Sequence, residues 1–313
     1  MSCFYPMQAL RLNSLTANGK NVIRFVSNET ASKFSSQMGL LSGLPCGQCV
    51  GCRLERSRQW AIRCVNEASL HDDNCFITLT FDPEYLFSRP DPMSLNKREF
   101  QLFMKRLRKR FPKIRYYMCG EYGEKTSRPH YHAILFGIDF PDKFLEKIED
   151  GRRYYSSQLL RECWPHGNNI ITDVNFDTCA YVARYIMKKH LGKDAYVHYD
   201  GYLIEDTGEI VGHRIPEYTT MSRRPGIGKA WLDKYLQDVY PRDKIFLKGR
   251  GFSKPPKYYD SLYEIINPSD YSRLKQERVD ASLLNVAETT PDRLHARQAV
   301  KLAQIKSLKR TLE

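Results

Sequence analysis

Apolar residues recur at three- and four-residue steps between Arg53 and Leu70, at Leu54, Trp60, Ala61, Cys64, Val65 and Ala68. That spacing predicts a helix with one buried stripe. Phe76-Ile-Thr-Leu-Thr-Phe81 switches to alternation of apolar residues with Thr, the period of a half-buried strand, and Asp82-Pro83 ends it. Ser94 stands where it can cap a long basic helix through Arg110, with Phe100, Phe103, Met104 and Leu107 on one face. Arg106, Arg108, Lys109 and Arg110 crowd its last turn, where the helix dipole favours cations. Ile114 to Glu121 and His130 to Phe136 read as strands joined by a short polar turn, hence an antiparallel hairpin. A helix near Ser157–Trp164 and a strand at Asn169–Phe176 follow. Asp177 or Thr178 is then the expected cap of a helix from Cys179 to Leu191. This order predicts an α+β domain whose sheet carries helices on one face.

The flanks are less regular. Residues 1–45 lack a clear period and are rich in Ser, Asn, Thr and Gly from Ser27 to Gly43, so an irregular N-terminal arm is expected. Beyond about residue 192 the chain is turn-rich, with a helix near Gly228–Val239. Pro255-Pro256 reads as a linker, and Arg273 to Leu312 as a polar helical tail. The expected divisions are 1–70 (arm, Cys cluster and helix), a central domain 71–240, and a linker and tail 241–313.

Composition narrows the function. The chain has 313 residues, 42% hydrophobic and 12% aromatic, enough for a packed core and two domains at most. No window approaches 18 consecutive apolar residues, so no membrane span is expected. Met1 to Leu15 lack the apolar core of a secretory signal, which points to an intracellular protein. A net charge of +13 with 20 Tyr and 15 Phe points to an anionic polymer, most simply nucleic acid. Nine cysteines in such a chain argue against a disulfide framework.

Three motifs carry chemistry. In His130-Tyr131-His132 the two imidazoles share one strand face, a spacing that can hold one divalent cation. Glu121 ends the partner strand and is the expected third ligand, with Glu124, inside the turn, as the competitor; the plainer reading is two ordinary histidines. On the following helix Tyr181 and Tyr185 project from one face, with Lys188 near it. A tyrosyl oxygen can attack a phosphodiester polarised by a metal, and Lys188 can neutralise charge; the plainer reading is an amphipathic helix packed on the sheet. Arg128, Arg184 and Lys189 are placed as DNA-backbone contacts. Finally, Cys46-x-x-Cys49-x-x-Cys52 has the spacing of a structural zinc half-site, its fourth ligand being Cys3, Cys64 or His71. Reduced thiols on a turn, or an iron–sulfur cluster, are the other readings.

Taken in order, Phe76–Phe81, Arg128–His132 and Tyr181–Lys189 resemble the three motifs of HUH-type rolling-circle replication initiators of the two-tyrosine class. The Met-Ser-Cys start and the Cys46–Arg53 segment resemble the initiators of small single-stranded DNA phages, the Microviridae of gokushovirus type. The resemblance spans roughly residues 1–235; Arg184 stands where some relatives have Lys, so a catalytic lysine role falls to Arg184 or Lys188. It implies an α+β HUH endonuclease fold over 71–240, with a central antiparallel sheet of about five strands, flanking helices and a surface metal site. It also implies Mg²⁺ or Mn²⁺ as cofactor, nicking of supercoiled replicative-form or single-stranded DNA at a phage origin, and a 5′-phosphotyrosine. The free 3′-OH is then extended by a host polymerase, and the second tyrosine recloses the displaced strand, all in the cytoplasm of the bacterial host. The sequence contains no G-x-x-x-x-G-K-[ST], so unwinding is expected from a partner host helicase. The competing functions are a non-catalytic single-stranded nucleic-acid-binding protein with a zinc knuckle, and a transposase or relaxase of the same chemistry.

Overall fold

The computed structural model describes residues 3–17, 19–36, 38–123, 126–184, 195, 198–203 and 210–307. The chain divides into two compact units, one of residues 1–56 with 277–312 and one of residues 57–276. In the first, β1 (Met7–Leu15), β2 (Asn21–Val26) and β3 (Leu40–Leu44) form an antiparallel sheet of order β2-β1-β3, with the single turn α1 (Asn28–Ala31) before β3. This corrects the expectation of an irregular arm. Most side chains of β1 and β2 are exposed, so there is no buried alternation to read. Helix α2 (Val50–Ala68) spans the boundary between the units in sequence.

The second unit is built on β4 (Asn74–Leu79). The short α3 (Pro83–Phe87) and then α4 (Lys97–Arg110) lead to the hairpin of β5 (Arg115–Tyr122) and β6 (Pro129–Phe136). Asn96, not Ser94, caps α4 through its side chain; the Ser94 hydroxyl instead accepts from the Ile215 N–H at 3.0 Å. Next come β7 (Phe144–Glu149), β8 (Arg152–Ser156), α5 (Gln158–Cys163), β9 (Asn169–Thr172) and α6 (Phe176–Arg184). The described remainder comprises β10 (Asp200–Leu203), β11 (Ile210–His213), β12 (Tyr218–Met221), α7 (Lys229–Val239), β13 (Ile245–Leu247) and β14 (Gly251–Ser253). Two helices, α8 (Lys257–Ile266) and α9 (Pro268–Leu283), follow, and α10 (Pro291–Lys306) ends the described chain in the first unit.

The main sheet has seven antiparallel strands in the order β12-β5-β6-β4-β9-β8-β7, rather than about five. The surplus lies at the edges, where β7 is exposed along its whole length and β12 has only four residues, so neither writes an apolar alternation into the sequence.

Helices cover both faces of this sheet, not one. Cys75, Ile77, Leu79, Tyr131, Ala133 and Leu135 pack with Phe103 and Leu107 of α4 and Leu160 of α5. From the opposite face, Phe76, Tyr117, Ile134 and Phe136 meet Ala61 and Cys64 of α2 and Cys179 and Val182 of α6. β4 is therefore a central strand buried on both sides, which its Thr alternation disguises as half-buried. A third cluster joins Ile62 of α2 to Leu232, Tyr240, Ile245, Leu247, Tyr259 and Tyr263. Pro255 and Pro256, which read as a linker, are buried.

Candidate metal centres and the tyrosine helix

Strand register assembles the first site. Glu121 of β5 pairs across from His130, and Thr78 of β4 pairs across from His132. Directly opposed residues share a sheet face, so a carboxylate, two imidazoles and a hydroxyl converge. Tyr131 points the other way. Its hydroxyl donates to Glu99 Oε2 at 2.8 Å, and Glu99 is in turn paired with Arg89 at 2.8 Å. Gly120 faces Tyr131 across the hairpin; a Cβ there would lie 3.2 Å from the Tyr131 ring, a tight contact that the ring would have to relieve by a few tenths of an ångström. The strand bearing both histidines is thus clamped from behind.

At the site itself, Glu121 Oε1 lies 2.7 Å from His130 Nε2 and 2.8 Å from His132 Nε2. One ligand atom from each residue falls within 4.8 Å of the others. Glu121 and His132 are buried and His130 is partly open. Burial pushes the Glu121 carboxyl up, but hydrogen bonds from His130 and His132 outweigh it and hold its pKa at about 2, so the group is a carboxylate.

The Arg128 carbonyl, which can only accept, lies 3.2 Å from His130 Nδ1, so that nitrogen carries a proton. His130 Nε2 then faces the carboxylate either as the N–H of an imidazolium or as a lone pair with a cation between them. Thr78 Oγ1, 2.9 Å from His132 Nδ1, can accept from it and leave His132 Nε2 equally disposed. Outer hydrogen bonds that fix the far nitrogen and aim the near one are the usual support of metal-ligating histidines. The donor set fits a divalent cation with coordination positions left over.

Helix α6 runs alongside. Asn175 and Thr178 cap it reciprocally, the Thr178 N–H donating to Asn175 Oδ1 and the Asn175 N–H to Thr178 Oγ1, each at 2.9 Å. This replaces Asp177 as the cap and starts the helix at Phe176. The Tyr181 ring stands edge-on to His132 with centroids 5.4 Å apart, and edge-on to Phe76 at 6.3 Å. Arg128 is exposed in the turn before β6. Arg184 closes the described helix without a described side chain, and Tyr185, Lys188, Lys189 and Glu124 lie outside the described residues. Thr78 is the contributor that sequence reasoning gave no role. The only signal in the sequence was a Thr in an otherwise apolar strand, whose hydroxyl has to bond something; its partner came from the strand register.

The second centre lies in the first unit. Sγ atoms of Cys3, Cys46, Cys49 and Cys52 all fall within 4.8 Å of one another. Cys3 is therefore the fourth member. Cys64 instead packs in the core of the main sheet, and His71 lies 3.6 Å from Glu67. The N–H groups of Phe4, Cys46 and Cys49 donate to the sulfurs of Cys49, Cys3 and Cys46, each at 3.3 Å. Burial pushes the Cys3 and Cys52 thiols up. At Cys49 the Phe4 and Cys52 N–H donors outweigh burial and bring the thiol to about 7. Four sulfurs within reach of one another have the donor number and type of a closed structural metal site. No disulfide forms among the described residues.

Residues 74–190 match the family model described as replication-associated protein ORF2. This stretch holds Thr78, Glu121, both histidines and Tyr181. Replication-associated protein VP4 of Bdellovibrio phage phiMH2K is 31% identical over 281 residues, covering 87% of this chain and 80% of that protein. The chain belongs to the phage replication-associated protein family. Replication-associated protein ORF2 of Spiroplasma virus 4 is 30% identical over 303 residues, covering 89% of this chain and 87% of its own. Replication-associated protein ORF4 of Chlamydia phage 1 is 28% identical over 242 residues, 72% of this chain and 54% of its own. No solved structure matches. Membership of this family supports a role in initiating phage replication, and among the described residues no helix is long and apolar enough to cross a membrane.

Proposed function

We propose that this protein initiates rolling-circle replication of a microvirus-like phage by nicking and rejoining one DNA strand through tyrosine, as an HUH endonuclease whose catalytic domain is residues 71–240. One observation carries the reading. The Tyr181 ring stands edge-on, 5.4 Å from that of His132, beside a buried carboxylate and two aimed imidazoles. A phenol held against a three-donor cation site is the equipment for phosphoryl transfer.

A divalent ion, Mg²⁺ or Mn²⁺, held by Glu121, His130 and His132 supplies Lewis-acid polarisation of the phosphoryl oxygens when bound. Thr78 and the Arg128 carbonyl hold the imidazoles in the ligating tautomer. The Tyr181 oxygen attacks the phosphorus; the P–O3′ bond breaks as the Tyr–O–P bond forms. The phenol gives up its proton and the departing 3′ oxygen takes one up, leaving a 5′-phosphotyrosine and a primer end for a host polymerase. Tyr185 repeats the step on the regenerated origin, and the first link is resolved by attack of the free 3′-OH. Lys188 neutralises charge, Arg128, Arg184 and Lys189 contact the backbone, and a host helicase unwinds. The four cysteines hold structural zinc. The setting is the bacterial cytoplasm.

The test uses end-labelled single-stranded oligonucleotides from the phage origin with Mg²⁺. The wild type should yield a cut and a denaturation-resistant adduct mapping to Tyr181 or Tyr185. Single Phe variants should keep partial cleavage but fail to join ends, and the double Phe variant should form no adduct. An adduct in the double variant, or one on another tyrosine, overturns the reading. Binding without any adduct favours a non-catalytic nucleic-acid-binding protein.

A further inference from the structure

A short hairpin outside the residues matched by the family model presents two large rings to solvent. In β13 and β14, Phe246 pairs directly across from Phe252. Alternation sends Ile245 and Leu247 into the core at 1% and 6% exposed, while Phe246 and Phe252 stand 64% and 72% exposed on the other face. Their ring centroids are 5.5 Å apart, edge to face. Two exposed Phe side chains set opposite each other on a built hairpin are an unusual use of the most hydrophobic residues.

The surroundings decide what fits them. From Pro241 through Lys257 the sequence carries six Lys or Arg against one Asp, so an apolar pair sits in a strongly cationic field. Lys244, Lys248 and Lys254 flank the rings and are exposed. Arg58 of α2 donates to Ser253 Oγ at 2.7 Å and to the Lys254 carbonyl at 2.8 Å, fixing the end of β14. At the tip, Arg250 lies over the Phe176 ring at 4.4 Å and pairs with Asp177. Phe176 and Asp177 open the helix that carries Tyr181, and five residues at 1.5 Å each put the tyrosine about 7.5 Å further along its axis. The hairpin is thus tied to the start of the tyrosine helix.

From this placement we infer that the β13–β14 hairpin is a stacking clamp for single-stranded DNA, with Phe246 and Phe252 receiving unpaired bases and Lys244, Lys248 and Lys254 meeting the phosphates. Aromatic faces accept any base, and lysines beside them track the backbone, so the pair grips without reading sequence. A protein partner for the same patch would gain nothing from three flanking lysines unless it were acidic. The inference rests on the DNA-processing reading but not on the nicking chemistry.

The test measures binding of a fluorescein-labelled oligothymidylate to the full chain by anisotropy, without added divalent metal. The Phe246→Ala/Phe252→Ala variant should bind about a hundredfold more weakly, with its salt dependence unchanged because no charge is lost. Lys248→Ala/Lys254→Ala should instead lower the slope of log K against log salt by about 1.4. In a Phe246→Trp variant the affinity should persist and the added indole emission should be quenched by the oligonucleotide. Unchanged binding by the double Ala variant, or an unquenched indole, overturns the clamp. A wild-type dimer that the double Ala variant loses would also overturn it, assigning the patch to contact between copies. If the clamp holds while the origin oligonucleotides give no adduct, the cleavage reading alone has failed.

Discussion

The two candidate metal centres of this chain are built on opposite plans. The cysteine cluster supplies four sulfurs, three of them in a seven-residue run and the fourth brought from position 3. It is mostly buried and, once loaded, leaves a cation no open position. The Glu121–His130–His132 group supplies three donors on one face of a rigid hairpin, with His130 partly open and a tyrosine ring alongside. A closed soft site can only hold structure together, whereas an open site of imidazole and carboxylate can also meet a substrate oxygen. The contrast teaches that ligand count and softness, more than the presence of a metal, separate a staple from a reaction centre.

The largest effect should come from the closed site. Stripping its metal, or making Cys49→Ser/Cys52→Ser, should cost the N-terminal sheet on the order of 10 kcal/mol of metal-linked folding free energy. Metal analysis should fall from one zinc per chain to none, and limited proteolysis should open residues 3–56. A metal-free wild type with a protected sheet would break the comparison.

Next is the open site. His132→Ala should slow strand cleavage about 10³-fold through loss of Lewis-acid stabilisation, at a stability cost of only about 1–3 kcal/mol. Oligonucleotide affinity should stay within about threefold, because backbone charge dominates it. Single-turnover cleavage and thermal melts of one sample separate the two effects, and equal losses in both would make this site structural as well.

Thr78→Val sharpens the picture at smaller magnitude. Losing the hydroxyl beside His132 Nδ1 should weaken divalent-metal affinity about 10- to 100-fold, with the rate restored at saturating Mg²⁺. A rate deficit that Mg²⁺ cannot rescue would give Thr78 a different role. Smallest of all should be the stability change in Tyr181→Phe, about 0.5 kcal/mol or less, since the ring keeps its edge contacts with His132 and Phe76. A large drop in melting temperature would make the hydroxyl a packing element.

Much of the site is legible in the chain because its determinants are local. His-x-His shares a face because strands have period two, and Cys-x-x-Cys-x-x-Cys clusters because a turn and a first helical turn bring every third residue together. The four-residue step from Tyr181 to Tyr185 sets two phenols on one side of any helix they occupy. The chain alone also marks Glu121 as the carboxylate nearest the histidines, because a short turn fixes hairpin register.

What only the folded chain decides is long-range. Cys3, Cys64 and His71 are equal candidates by sequence; bringing Cys3 to the cluster depends on how the chain before β1 lies against residues 46–52. Helices on both faces of the sheet, the two strands on its β7 edge and the β12 edge strand come from pairings between segments whose own patterns are weak. Thr78 takes no role from its neighbours in sequence, since its partner lies 54 residues away on the next strand of the sheet. The same holds for the region after residue 240, where Ile245, Leu247, Tyr259 and Tyr263 bury themselves against Ile62 and so turn an apparent linker into core. Spacing within an element is set by backbone geometry that every chain shares, whereas the meeting of distant elements depends on which surfaces bury best together, and that is settled only when the whole sheet is assembled.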